Sequence, residues 1–594
     1  MSSTTAWPTW RYFARLIVFR PWLWGPNLVS IALVIGLETV PGLVSRAFFD
    51  WLNAGAGQLQ PFVWMMALLL LSSLGRITFL FGCQFTNAPF IYTGTALLQH
   101  NMLRRLLELP AAVALPHTAG EALSRFRDDT EETGVFLIPF NDLIAFSIFA
   151  TVGLAIMLSI NVALTLGVFV PLVVLSFVLH ATRVRIEAYR RAVRTATAEV
   201  TSHLADMFGA AQTIQLANAE RGVIERFREL NRTRLHTAIR DRLLDQILQS
   251  LSRNMSNIGT GVVLLLASRG MSAGTFTVGD FALFVFYLGW VGEFTALFGG
   301  VLAKYRQAGV SFGRMVELLQ GLPAPALVAH RPVFEPALSR PARAGGPLHV
   351  LEVVDLTYVY SSSGRGIRHG SFQVERGERV VITGRTGSGK TTLLRALLGL
   401  VPAQSGTVRW NGQAIDDPAG FLVPPQCAYT PQVPRLFSES LRRNLLLDLD
   451  PTAAAHHLED ALEVSQFGTD LDSMQAGLES EVGVRGVALS GGQLQRAAVA
   501  RMLVRQADLL VLDDLSSLDG PTEEALWAAL VADPSRTILA ASHRRAVLRR
   551  AHRVLVLEDG EVVDQGPLNA LLERCEVMRR LWSVSPEYDR QLRL

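Results

Sequence analysis

The chain has 594 residues, 49% of them hydrophobic and only 18% charged, with a mean hydropathy of +0.28. Charge this far below the ~25% of an ordinary soluble domain excludes a disordered chain and a wholly soluble one, and points to membrane spans. Lys plus Arg is 55 against 52 Asp plus Glu, a formal net charge of +3, so no global basic field suggests a nucleic-acid partner.

The net charge hides an asymmetry. Residues 1–340 carry 28 basic and 21 acidic side chains, whereas residues 341–594 carry 27 and 31. Of all the basic residues only Lys304 and Lys390 are lysines. The three cysteines, Cys83, Cys427 and Cys575, are too few and too scattered for a disulfide framework or a zinc site. At the N-terminus, Arg11, Arg15 and Arg20 precede an apolar run too long for a signal-peptide core, which reads as a cytoplasmic lead-in to a first span.

About 20 apolar residues cross a bilayer. Six stretches qualify or nearly do: 22–47, 61–85, 134–158, 160–181, 248–268 and 279–303. A short turn near Ser159, Ile160 and Asn161 separates the third from the fourth. The fifth is weakest, because Arg253, Asn254 and Asn257 occupy its first half. Between the first two spans, residues 48–60 have no Lys or Arg, whereas the long segment 86–133 carries Arg104, Arg105, Arg125 and Arg127 and the long segment 182–247 carries twelve arginines. The positive-inside rule therefore places the N-terminus and both long connecting segments in the cytoplasm of a multi-pass protein of the plasma (inner) membrane. From Thr182 to Leu248 there is no proline and the apolar rhythm is helical. Such a hairpin is either a plain solvated one or a lever reaching roughly 45 Å beyond the bilayer. These readings give a transmembrane domain over 1–319.

Residues 320–347 read as a Pro/Ala-rich linker, with prolines at 323, 325, 332, 336, 341 and 347. From 348 to 594, short apolar runs bounded by glycine turns mark an α/β domain with buried strands. Gly384-Arg385-Thr386-Gly387-Ser388-Gly389-Lys390-Thr391 matches the phosphate-loop pattern, after the strand Val380–Thr383 and before a helical run beginning at Thr392. The glycines let backbone N–H groups close on phosphate oxygens, Lys390 reaches the β- and γ-phosphates, and the Thr391 hydroxyl is a Mg²⁺ ligand. Leu509–Leu512 reads as a buried strand ending in Asp513, a second Mg²⁺ ligand, and Asp514 follows in position to orient or deprotonate the attacking water.

At this point the second half resembles the ATP-binding cassette (ABC) proteins. Leu489-Ser490-Gly491-Gly492-Gln493 matches their signature motif, Tyr429-Thr-Pro-Gln432 looks like their Q-loop, and His543 looks like their switch histidine. Tyr360 falls where the family stacks an aromatic on adenine, and the resemblance implies that Gln432 joins the Mg²⁺ ligands. In the first half, 118–125 and 209–220 look like the two cytoplasmic coupling regions of ABC exporters, and Thr277-Val-Gly-Asp280 is common before their last span. The resemblance implies an all-α six-helix membrane domain (type 1 exporter fold) fused to an α/β P-loop NTPase. It implies a half-transporter that works as a dimer in the bilayer, each ATP held between one chain's phosphate loop and the other's signature. ATP and Mg²⁺ are the implied cofactors and an amphipathic lipid, drug-like molecule or peptide the implied cargo. An importer on the same scaffold and a non-pumping ATP-gated regulator remain open.

Three departures from the family pattern matter. Asp514 stands where active sites usually carry Glu, which predicts slow hydrolysis at this chain's own site and favours a heterodimer over a homodimer. The stretch 513–519 is one residue short, which unsettles Asp519 as the D-loop carboxylate, and Val484 replaces a usual Glu beside Arg485. Glu38, Arg76, Asp142, Arg253 and Glu293 are charges within spans, each either an interhelical partner or a functional group. Of these, Asp142 and Glu293 are the expected cargo contacts, while Trp64, Phe81, Phe284 and Trp290 either line an amphipathic cavity or, as expected for most of them, meet lipid or neighbouring helices.

Overall fold

The computed structural model describes residues 7–55, 59–109, 118–272, 276–333, 345–361, 363–483 and 486–583. Val484, Arg485 and the side chain of Arg253 lie outside that description. The chain divides into two compact units, Met1–Leu106 with Leu115–Phe334, and Leu107–Ala114 with Glu335–Leu594.

The first unit is helical: α1 (Thr9–Phe19), α2 (Pro21–Gly36), α3 (Thr39–Asn53), α4 (Leu59–Glu108), α5 (Ala119–Ser124), a π-helical turn (Arg125–Asp129), α6 (Thr130–Val135), α7 (Leu137–Ile160), α8 (Val162–Gly209), α9 (Ala211–Leu216), α10 (Glu220–Ser272) and α11 (Val278–Leu318). Among the described residues Pro21–Asn53, Leu59–Glu108 and Gly120–Ile160 are long and apolar enough to cross a membrane, and Asn257–Ser268 and Val278–Trp290 are shorter apolar pieces.

The expected first span, 22–47, is not one continuous helix. It breaks at Leu37 and Glu38, where the Glu38 carboxylate pairs with Arg76 of α4. The turn between α7 and α8 falls at Asn161, whose side chain accepts the Leu164 N–H at 3.0 Å and caps α8. α11 opens on a reciprocal capping box: Thr277 Oγ1 accepts the Asp280 N–H at 2.9 Å and Asp280 accepts the Thr277 N–H at 3.0 Å.

Where these helices touch, small residues let backbones approach. Gly279 lies so close to α3 that a Cβ there would overlap the Arg46 carbonyl oxygen and the Asp50 carboxylate, while Arg46 Nε pairs with Asp280 at 2.9 Å. Buried polar groups are paired across helices as well. Asn27 of α2 donates to Cys83 O at 3.2 Å, Thr86 Oγ1 at 2.8 Å and Asn87 Oδ1 at 2.8 Å, and accepts from Asn141 of α7 at 2.9 Å. At the C-terminal end of α11, buried Arg125 donates to Arg314 O at 2.9 Å and pairs with Glu317 at 3.1 Å, while Arg314 pairs with buried Asp129.

The in-span charges resolve differently. Glu38 and Arg76 satisfy each other, Glu293 is exposed, and Asp142 is partly buried within electrostatic range of Lys304. Phe284 is fully buried against Phe276, at 5.4 Å between ring centres, and Trp290 packs on Phe146 and Phe149, so neither lines an open surface. Trp64 and Phe81 are exposed.

The second unit holds two sheets. One is antiparallel, in the order β2-β1-β4-β5, from β1 (Val350–Val359), β2 (Gly366–Glu375), β4 (Ser405–Trp410) and β5 (Gln413–Ala414). The other, in the order β10-β9-β3-β8-β7-β6, contains β3 (Arg379–Gly384), β6 (Cys427–Thr430), β7 (Leu509–Asp513), β8 (Thr537–Ala541), β9 (Arg553–Glu558) and β10 (Glu561–Gly566). β7 and β8 are buried along their whole length, as their unbroken apolar sequences require. Parallel register sets Ile382 and Asp513 both beside Ala541, so the residues after β3, β7 and β8 emerge together at one edge. That carboxyl edge is where open α/β sheets bind ligands.

Candidate nucleotide site

The phosphate loop runs from Gly384 to the start of α12 (Lys390–Leu397). Gly389 caps that helix at φ 105°, a left-handed conformation that favours glycine, and a Cβ there would press on the Gly366 carbonyl oxygen at 2.9 Å. Lys390 Nζ donates to Gly384 O at 2.8 Å and Arg385 O at 3.0 Å, which folds the ammonium back over the loop. Burial pushes its pKa down, and the negative charges of Asp514 and Asp513 oppose that shift. The Ser388 hydroxyl is buried with no hydrogen-bond partner among the described residues, an orphaned donor inside the loop.

Behind the loop, Thr391 Oγ1 donates to Asp513 Oδ1 at 2.9 Å, and the Tyr429 hydroxyl donates to Asp513 Oδ2 at 3.3 Å. Burial raises the Asp513 pKa against the pull of Thr391. A hydroxyl and a buried carboxylate side by side are hard oxygen donors, a set that fits Mg²⁺. Asp514 sits at φ 41°, an uncommon conformation for a residue with a Cβ, with its N–H bound to Ala541 O at 3.1 Å. Its carboxylate lies 4.0 Å from His543 Nδ1.

Tyr360, Gly384, Arg385, Thr386, Gly387, Gly389, Lys390, Thr391, Thr392, Gln432, Asp513, Asp514 and His543 all line one cleft of about 820 Å³. Tyr360 stands edge-on to Tyr358, with ring centres 4.9 Å apart, and Gln432 is exposed at the rim. Ser490, Gly491, Gly492 and Gln493 lie outside that cleft. They open the helix Gly491–Leu503 with a second capping box, in which Ser490 Oγ accepts the Gln493 N–H at 3.2 Å and Gln493 Oε1 accepts the Ser490 N–H at 2.9 Å.

Sequence reasoning missed several side chains here. Gln495 and the Arg544–Glu523 pair bind the loops around Asp514, and the C-terminal helix Glu576–Ser583 brings Arg580 and Trp582 to the cleft. Burial pushes the Glu523 carboxyl up to about 7, opposed chiefly by Arg544 and reinforced by Asp514. The Trp582 ring lies 5.0 Å from the Arg545 guanidinium. The one sequence signal was the position of Arg544 directly after His543.

Comparison with known proteins follows the same division. Residues 27–293 match the ABC transporter transmembrane region and residues 367–517 match the ABC transporter family. The chain is 28% identical to an ATP-dependent lipid A-core flippase of Burkholderia thailandensis, over 98% of this chain and 95% of that protein. A protein of the same description from Vibrio vulnificus is 25% identical over 97% of each chain. Among solved structures it resembles a bacterial Atm1-family ABC exporter with ATP bound, with TM-score 0.73 and 21% identity over 94% of this chain and 98% of that one.

Proposed function

We propose that this chain, a member of the ABC half-transporters of the exporter type, moves an amphipathic lipid across the plasma (inner) membrane as one half of a heterodimer. ATP-driven transport by a multi-pass dimer is the activity of that family; the cargo, the pairing and the residue roles are our reading. The lipid is suggested by relatives described as lipid A-core flippases, matched over nearly the whole chain. In this reading the N-terminus and the nucleotide-binding domain face the cytoplasm, an orientation supported by the arginine-rich segment 182–247. We divide the chain into a transmembrane domain over 1–319, a linker over 320–347 and a nucleotide-binding domain over 348–594.

One observation carries the mechanism: the cleft gathers the phosphate loop, Asp513, Asp514 and His543 but leaves the signature outside. A nucleotide bound there lacks the second set of N–H donors that the signature offers, so a partner chain must supply it. On binding, phosphate oxygens replace the Gly384 and Arg385 carbonyls as partners of Lys390, and the Ser388 hydroxyl gains an acceptor. Thr391, Asp513 and Gln432 would hold Mg²⁺, which would supply neutralisation of charge on the β- and γ-phosphates. Asp514 orients the attacking water and accepts its proton, and His543, 4.0 Å from that carboxylate, faces the γ-phosphate beside it. Tyr360 stacks on the adenine. Closure of the two chains on ATP favours the outward-facing state, and hydrolysis restores the open one. Asp142 and Glu293 contact the polar part of the cargo.

Reconstitution with the co-purified partner in proteoliposomes tests this reading. Fluorescent phospholipid should change leaflet only with hydrolysable ATP, and a complex carrying Lys390→Ala should show none of that movement. Lipid movement that persists without hydrolysis, or its absence in the intact complex, would refute the assignment.

A further inference from the structure

Gln495 lies one turn into the signature helix and is buried. Its amide touches three separate segments. Nε2 donates to the Gln432 carbonyl at 3.0 Å and to the Asp514 carbonyl at 3.4 Å, and Oε1 accepts the Ser517 N–H at 3.1 Å. Both donors and the acceptor are thereby used, which leaves the side chain little freedom to turn. The segments it joins are the loop carrying Gln432, the strand end carrying Asp514 and the loop that follows. Ser517 in turn packs on the signature glycines: a Cβ on Gly492 would meet the Ser517 carbonyl oxygen at 3.3 Å.

Asp514 depends on such support. At φ 41° its backbone is in a conformation that costs a side-chain-bearing residue free energy and persists only when its surroundings hold it. Two bonds do so, from its own N–H to Ala541 O and from Gln495 to its carbonyl. A carboxylate one methylene shorter than Glu has less reach to compensate for a misplaced backbone.

We propose that Gln495 is a positioning residue that ties the signature helix to this chain's own Asp514, so that a nucleotide engaged by the signature in the partner's site alters the reactive geometry here. The proposal rests on the reading of Asp514 as the water-orienting carboxylate. Displacement of the helix Gly491–Leu503 moves the Gln495 amide, and with it the carbonyls of Gln432 and Asp514 and the amide of Ser517.

The test is ATP hydrolysis at this chain's site in the complex with the co-purified partner, in lipid nanodiscs at saturating ATP, with the partner's own water-orienting carboxylate replaced by its amide so that both clefts fill and only this one turns over. It compares Gln495→Met, Gln495→Glu, Asp514→Asn and the Gln495→Met/Asp514→Asn double variant. Gln495→Met should slow hydrolysis about 10- to 100-fold while the ATP dissociation constant changes by less than about threefold. In the Asp514→Asn background the same change should cost less than about twofold, because the group it positions is already gone. Gln495→Glu keeps the size of the side chain and so carries the test should the Met variant fold poorly. Its loss, relative to wild type, should shrink at low pH, where a protonated carboxyl again donates to a carbonyl. Unchanged hydrolysis in both Gln495 variants overturns the proposal, as does a full additional loss in the Asp514→Asn background. If Asp514→Asn alone leaves the rate unchanged, the assignment of Asp514 fails instead, and the route through it is refuted with it.

Discussion

Lengthening the reactive carboxylate is the sharpest perturbation available at this site. Asp514 ends 4.0 Å from His543 Nδ1, with its backbone anchored to Ala541 O. Asp514→Glu adds one methylene and so about 1.3 Å of reach toward a water attacking in the cleft. A misplacement of 1 Å at a reacting group can cost about 100-fold in rate, so restoring that reach should raise turnover by about 10- to 100-fold, or about 1.4–2.7 kcal/mol of barrier. One effect opposes the gain. Asp tolerates the left-handed backbone at φ 41° better than Glu does, a difference of less than about 1 kcal/mol that lowers the stability of the loop more than it raises the barrier. The assay is phosphate release at saturating ATP by the complex with the co-purified partner in nanodiscs, the partner's own water-orienting carboxylate replaced by its amide, for wild type, Asp514→Glu and Asp514→Asn of this chain. The expected order has the Glu variant well above wild type and the Asn variant below it. A wild-type chain that already turns over rapidly and loses that activity in Asp514→Asn would refute the weakened site, as would a gain below about threefold in Asp514→Glu.

Two further predictions concern stability. Burial raises the Glu523 carboxyl from an ordinary value of 4.5 to about 7, so its ionisation costs the fold. The cost is absent below pH 4.5, grows between pH 4.5 and about 7, and is constant above that. In Glu523→Gln the thermal midpoint of the nucleotide-binding unit, measured against wild type by scanning fluorimetry, should therefore move in favour of the variant across that window, by the equivalent of no more than about 3 kcal/mol. A flat or opposite trend would mean that pairing with Arg544 outweighs burial. In α11, Gly279→Ala forces a methyl group onto the Arg46 carbonyl and should destabilise by about 1–3 kcal/mol, whereas exposed Gly313→Ala meets nothing and should stabilise by about 0.5–1 kcal/mol. Melting temperatures of the solubilised variants that move in the same direction would contradict that contrast.

What the sequence made legible was what lies contiguous in it. The phosphate loop, the strand before Asp513 and the signature each occupy a few adjacent residues whose chemistry needs that spacing, and the span lengths follow from hydropathy. What stayed hidden depends on sheet register and helix packing. Gln432, Gln495 and the segment from Asp514 to Ser517 lie apart in the chain, and they meet because β6 and β7 are neighbours and the signature helix packs beside them. The break in the first span at Glu38 was likewise not visible until Arg76 of α4 was placed beside it. Lys304 had no evident role in the sequence, and it takes on meaning only as the charge that faces Asp142.

The signature explains why one chain is not a complete machine. The first N–H groups of an α-helix have no partner within it. In the helix Gly491–Leu503 the capping box occupies the N–H groups of Ser490 and Gln493, leaving those of Gly491 and Gly492 without intrahelical partners. Two adjacent donors with no side chain to shield them, at the positive end of a helix dipole, are suited to a phosphate. The nearest phosphates in this chain would lie in its own cleft, which these glycines do not line. They therefore serve a nucleotide carried by another molecule. In the proposed heterodimer the asymmetry at Asp514 acquires a physical reading: this chain would present an intact clamp to its partner's ATP while its own ATP would meet a shortened carboxylate, so that one nucleotide would be held longer than the other.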